Sequence, residues 1–127
     1  MKLLKYLPVT LWMIVIFYLS SRTDLPRANG FYLEFLFKKS GHVISYFILT
    51  LLWIKTLGTK NTDKSVLYSL SYAFTDEIHQ LFVPGRTGVL TDIIFDSLGI
   101  SLAVLVNYLA HKWKKSTFPQ AQKTPKR

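Results

Sequence analysis

A chain of 127 residues, half of them hydrophobic and 15% aromatic, holds at most one domain's worth of material. Its formal net charge of +9 does not point to nucleic acid. Six of the sixteen Lys and Arg residues lie in a polar tail beyond the last apolar run, and no base-reading motif accompanies them. With no cysteine, the chain has neither disulfides nor thiolate metal sites.

The charges gather at the ends and in three narrow bands, leaving four mostly apolar stretches, each about as long as the 17 to 25 residues a membrane-spanning helix needs. Val9 to Leu19 follows Lys2 and Lys5 and precedes SSRTDLP. A basic start, an apolar core and Ser20-Ser21 have the outline of a signal peptide, but Leu19 spoils the small-x-small cleavage pattern. A retained first helix, roughly Leu4 to Ser21, is the expectation, ended by Pro26 and the Asn29-Gly30 pair. Phe31 to Phe37, FYLEFLF, reads as an interfacial helix with its aromatics at headgroup level; Glu34 and Lys38 then pair four residues apart.

The second span is expected from about Ser40 to Thr56, with His42 and Tyr46 on one face near its start. Residues 55–64, KTLGTKNTDK, read as a plain connector. The third span, about Ser65 to Phe82, begins apolar and turns polar at Asp76, Glu77, His79 and Gln80. After a Pro84-Gly85 turn, the fourth, about Gly88 to His111, reverses the gradient, with Asp92 and Asp96 in its first half. Gly99 and Ala103 continue the line of those two acids as a small-residue stripe that permits close helix approach. The predicted architecture is an all-α, integral membrane four-helix bundle over residues 1–111, and a basic tail over 112–127 that is expected to be disordered and cytoplasmic.

Counting Lys and Arg orients the bundle. Eleven fall on the side of the N-terminus, the 55–64 connector and the tail, against five on the other side, so both termini are expected inside. At about 1.5 Å per residue, Asp76 and Gln80 stand roughly 17 and 22 Å up from the start of the third span, and Asp96 and Asp92 roughly 22 and 28 Å up the fourth. His42, descending the second, reaches the same level. Three helices therefore deliver polar groups to one slab in the outer half of a bilayer, where each ionisable residue costs several kcal/mol and usually marks a functional site.

Four carboxylates in a small, partly dry volume need cationic partners, protons or a ligand. Arg86 is the expected partner, its planar fork clamping carboxylates or an anion. Three readings compete. The acids and Arg86 form a purely structural network; or they form a pocket for a polar headgroup or lipid-linked molecule; or they form an enzyme site with Glu77 or an Asp such as Asp76 as base, His42 or His79 as acid or metal ligand, and a divalent ion bridging carboxylates. The pattern around His79 lacks the H-E-x-x-H spacing of zinc sites, so neither a metal nor another cofactor is expected.

The pieces IFYLSS, GHVISYFIL and above all DEIHQLFVPGRTGVLTDIIFDSLG resemble the VanZ-like family of small bacterial membrane proteins. The resemblance covers about residues 9–110. It implies a multi-pass protein of the bacterial plasma membrane with Asp76, Glu77, Gln80, Arg86, Asp92, Asp96 and His42 as its polar residues. Many relatives carry Asn where this chain has Asp96, so the site here holds an additional carboxylate. The namesake member is associated with low-level resistance to the glycopeptide teicoplanin, which adds antibiotic resistance to the expectations. The expected function is an envelope role in which Tyr46 and those polar residues form an outer-leaflet pocket for a cell-surface or lipid-linked molecule. The expected partners are membrane lipids and a lipid-linked cell-wall precursor or the glycopeptide itself, with a homo-oligomer left open. The alternative is a membrane-embedded hydrolase or transferase acting on lipid-linked substrates.

Overall fold

The computed structural model describes residues 2–24, 29–86 and 88–117. A short 3-10 turn, Lys2–Tyr6, leads into α1, Leu7–Ser21; α2 is Phe31–Leu57, α3 is Thr62–Leu81 and α4 is Asp92–Thr117. Pro8 sits in the first turn of α1, where its missing N–H breaks no helical hydrogen bond. Gly58, at φ +87°, ends α2, its N–H donating to the Ile54 carbonyl at 2.9 Å. One turn of 3-10 helix, Thr59–Asn61, then reverses the chain into α3. The connector predicted over residues 55–64 is therefore mostly helix, because a single positive-φ glycine suffices to turn the chain.

Segment 31–37 forms one uninterrupted helix with the second span. At 27 residues, α2 is about 40 Å long, more than the roughly 30 Å of a hydrocarbon core, so its aromatic first turns reach headgroup level. The Glu34–Lys38 pair forms there at 3.3 Å. The fourth helix starts later than predicted, at Asp92 rather than Gly88. It also runs further, to Thr117, which corrects the expectation of a disordered tail for residues 112–117; residues 118–127 lie outside the described residues.

Between α3 and α4 the Arg86 N–H donates to the Val83 carbonyl at 3.1 Å across Pro84-Gly85, with Gly85 at φ +80°. Proline followed by a positive-φ residue is what a type II turn requires.

Burial shows which solvent the bundle was built for. Among the described residues, thirty-two large hydrophobic side chains are exposed and eight hydrophobic residues are buried, while Ser65, Ser69, Asp76, Glu77, Gln80, Asp92 and Asp96 lie inside. A surface so apolar around a polar interior suits hydrocarbon, not water. Three helical stretches, Leu3–Ser21, Phe31–Leu57 and Asp92–Thr117, are long and apolar enough to cross a membrane. The fourth, α3, is the polar one, and it turns Leu67, Phe74 and Ile78 outward and Ser65, Ser69, Asp76 and Glu77 inward.

α2 packs most extensively on α4 and also touches α3 and α1; α3 closes against α4, and α1 lies across α2 and α3. Gly99 makes the α2–α4 contact close: a Cβ there would stand 2.2 Å from the Val43 carbonyl oxygen. Directed bonds fasten α1, with Trp12 Nε1 donating to the Ser45 carbonyl at 2.9 Å and the Tyr72 hydroxyl to the Met13 carbonyl at 2.6 Å. The core of Val9, Ile16, Tyr46, Leu49, Ala73 and Ile100 fills the middle, below the polar end.

Candidate functional site

The polar end of the bundle is assembled by helical spacing. On α2, Lys39, His42 and Tyr46 fall three and four residues apart and so share one face; on α4, Asp92 and Asp96 do the same. The close approach at Gly99 brings these two faces into register. Lys39 Nζ pairs with Asp92 Oδ1, the His42 ring stands 3.4 Å from Asp92 through Nε2, and His42 Nδ1 lies 2.8 Å from Asp96 Oδ1. A ladder of alternating sign thus runs down the α2–α4 seam.

α3 supplies the other wall. Gln80 spans α1 and α3, its amide donating to Ser20 Oγ at 3.2 Å and to Asp76 Oδ2 at 3.3 Å. Glu77 faces the seam: one of its carboxylate oxygens, one His42 nitrogen and one Asp96 oxygen all lie within 4.8 Å of one another. The sequence-predicted residues Asp76, Glu77, Gln80, Asp92, Asp96, His42 and Tyr46 are therefore brought together.

The hydrogen bonding is incomplete. Both Glu77 oxygens, Asp76 Oδ1, Asp96 Oδ2 and the Tyr46 hydroxyl are buried without a partner among the described residues. Unmet buried acceptors of this kind are uncommon in folded proteins and call for a proton, an ion or a ligand. Among the described residues, the basic side chains within 4 Å of these four carboxylates are Lys39 and His42.

Two predicted members stand elsewhere. Arg86 does not clamp the acids. Its Nε donates to the Arg22 carbonyl at 3.0 Å and its Nη2 to the carbonyls of Leu19 and Arg22 at 3.0 and 2.7 Å. It caps the C-terminal end of α1, where the last turn of any helix leaves carbonyls without partners and where the helix dipole favours a cation. His79 turns toward α1 as well. Its Nε2 lies 3.0 Å from Ser21 Oγ, which itself donates to the Phe17 carbonyl at 2.8 Å, and its ring stacks on Phe17 with centroids 4.2 Å apart.

Lys39 and Ser20 are the members that reading the sequence missed. The spacing of three between Lys39 and His42 is signal enough to place Lys39 on the face of His42 and Tyr46. Ser20 carried no periodic signal at all. Lys39 also borders an apolar groove of about 330 Å³ on the bilayer-facing side of α2 and α4, lined by Phe35, Leu36, Val43, Ile44 and Leu98 among others.

An all-α membrane bundle with an internal, acid-rich polar site at one end is the class these observations define. The chain belongs to the VanZ/LLP1 family, whose profile matches residues 5–111. It is 33% identical over 85 residues to a Bacillus subtilis (strain 168) protein called "Uncharacterized membrane protein YwnJ". That alignment covers 67% of this chain and 59% of the relative. No solved structure matches the chain.

Proposed function

We propose that this protein serves the bacterial envelope from the plasma membrane by binding a lipid-linked molecule. The lipid chain lies in the α2–α4 groove, and the headgroup lies at the mouth of the acidic site. The supporting observation is the double position of Lys39, which lines the groove while its ammonium group meets Asp92 beside His42. A long cationic side chain placed this way offers a phosphate a counter-charge at the level where an acyl or prenyl tail enters hydrocarbon. Behind it, the unmet oxygen of Asp76 suits a hydroxyl or amine of a headgroup.

The excess of Lys and Arg at the opposite end supports an outward-facing site. There, engagement of a cell-wall precursor or of the glycopeptide is the route by which the protein lowers teicoplanin susceptibility. The anion-binding role first assigned to Arg86 passes to Lys39, because Arg86 is occupied with α1. Lipid extraction and mass spectrometry of protein purified in native-membrane discs test this reading. Wild type is expected to carry an anionic lipid-linked species that is depleted in Lys39→Met and in the groove-filling Leu98→Trp. Identical lipid profiles in all three would reject it.

A further inference from the structure

We propose that His42, Glu77 and Asp96 form a binding site for a first-row divalent cation such as Mn2+ or Zn2+ at the floor of the polar site. The inference builds on the reading of this cluster as a ligand site, and it is tested apart from the lipid.

Three observations converge on it. One nitrogen and two carboxylate oxygens from three different helices lie within 4.8 Å of one another. Asp96 is wholly buried and Glu77 is 4% exposed, so whatever meets their oxygens in the closed bundle is no larger than an ion with its remaining waters. Among the described residues, both Glu77 oxygens and Asp96 Oδ2 lack a partner, although the same helices hold Asp92 in a direct ion pair. A structural network would have matched these acids as it matched Asp92.

The histidine supplies the chemical identity. His42 Nδ1 is 2.8 Å from Asp96 Oδ1, near the roughly 3 Å that separates neighbouring ligand atoms around an ion with bonds of about 2.0–2.2 Å. A cation bound there takes the place of the hydrogen bond between them. The other ring nitrogen, Nε2, is 3.4 Å from Asp92 Oδ2, and Asp92 is itself held by Lys39. A carboxylate behind the imidazole is the usual outer support of a metal-bound histidine, fixing its tautomer and ring orientation. One imidazole and two carboxylates without sulfur favour a borderline first-row cation over the all-oxygen preference of Ca2+ or Mg2+. On this view the positions of His42 and Asp92 along the seam are explained together, and the third wall, Glu77, brings the charge that a divalent ion requires.

The test uses the full chain in detergent or native-membrane discs. After stripping with chelator, wild type is titrated with Mn2+, Zn2+, Mg2+ and Ca2+, and retained metal is measured after desalting. Mn2+ or Zn2+ is expected to be retained at about one ion per chain and to raise the melting temperature, as a ligand that binds only the folded state must. Glu77→Gln and Asp96→Asn are expected to lose that retention, while Asp63→Asn on the far end of α3 keeps it. Asp92→Asn is expected to weaken affinity by about 10–100-fold, as outer-support substitutions do.

Co2+ gives a readout that needs no variant. Visible absorption with imidazole and carboxylate ligation, displaced by Zn2+, is expected in wild type. Failure of wild type to retain Mn2+ or Zn2+, absence of the Co2+ signal, or equal retention by the Glu77 and Asp96 variants overturns the inference. Failure to retain metal together with a lipid profile still dependent on Lys39 would reject the cation alone. Stoichiometric metal with a lipid profile indifferent to Lys39 and Leu98 would reject the lipid reading alone.

Discussion

Gly99 of α4 meets Val43 of α2 so closely that a Cβ at position 99 would stand 2.2 Å from the Val43 carbonyl oxygen and 3.0 Å from the Phe47 amide nitrogen. Backbone, not a flexible side chain, is the obstacle, so the helices must part to admit even a methyl group. His42 and Asp96 are the near neighbours of that contact in sequence, and their 2.8 Å bond depends on it. Gly99→Ala is expected to lower stability by about 1–3 kcal/mol, the usual cost of overpacking, and to weaken the site with it. Gly41→Ala is the matched control, since a Cβ there meets nothing within 4 Å. Thermal unfolding of both variants in the same detergent checks the pair.

Arg86 holds the end of α1 to the turn between α3 and α4 through three donations to backbone carbonyls. Arg86→Ala takes the side-chain donors from the Arg22 and Leu19 carbonyls, leaving Leu19 only the Arg22 N–H at 3.2 Å, and is expected to cost about 1–3 kcal/mol. The expected outcome is therefore a lower melting temperature and lower membrane abundance. Arg86→Lys is expected to recover only part of this, because a single ammonium cannot reproduce the planar fork. Intact abundance with loss of an envelope phenotype would instead restore Arg86 to the site.

Lys39 and Asp92 are side chains only 15% and 11% exposed, so breaking their pair strands a charge. Lys39→Met alone is expected to destabilise metal-free protein by about 2–4 kcal/mol. The double change Lys39→Met with Asp92→Asn is expected to be less harmful than the sum of the single ones, because the second removes the charge the first left behind. A double-mutant cycle on melting temperature measures the difference.

Tyr72 donates to the Met13 carbonyl at 2.6 Å and ties α3 to α1 inside the bundle. Tyr72→Phe keeps the ring and deletes the bond. Hydrogen bonds between membrane helices average about 0.6 kcal/mol, so a small but measurable loss is expected. A loss several times larger would mean that α1 docking, not one bond, depends on this hydroxyl.

Orientation is testable because the chain has no cysteine to compete. Pro84→Cys, in the exposed turn at the polar end, is expected to react with a membrane-impermeant thiol reagent on intact cells, and Lys60→Cys only after lysis. The reverse labelling pattern would place the acidic site on the cytoplasmic side.

Much of this architecture was legible before any coordinates. Depth along a helix is a matter of counting residues at a fixed rise, so the meeting of His42, Glu77 and Asp96 at one level follows from their distances to the ends of their spans. The small stripe of Gly99 and Ala103 marked the contact face for the same reason, since period 3.6 places side chains around a helix without reference to its neighbours. Both residues are indeed buried.

Which partner each charged group takes was not legible. Arg86 is six residues before Asp92, and proximity in sequence suggested a clamp; its guanidinium lies instead on carbonyls of Leu19 and Arg22, a distance no local pattern encodes. Lys39 and His79 traded roles in the same way, one entering the site and the other leaving for Ser21 and Phe17. The sequence by itself determined the helices, their apolar exteriors and the level of the polar groups, because those depend on spacing within a segment. Tertiary structure alone decided the pairings and the unmet oxygens of Glu77, because these depend on how far each helix is rotated and how closely two backbones approach.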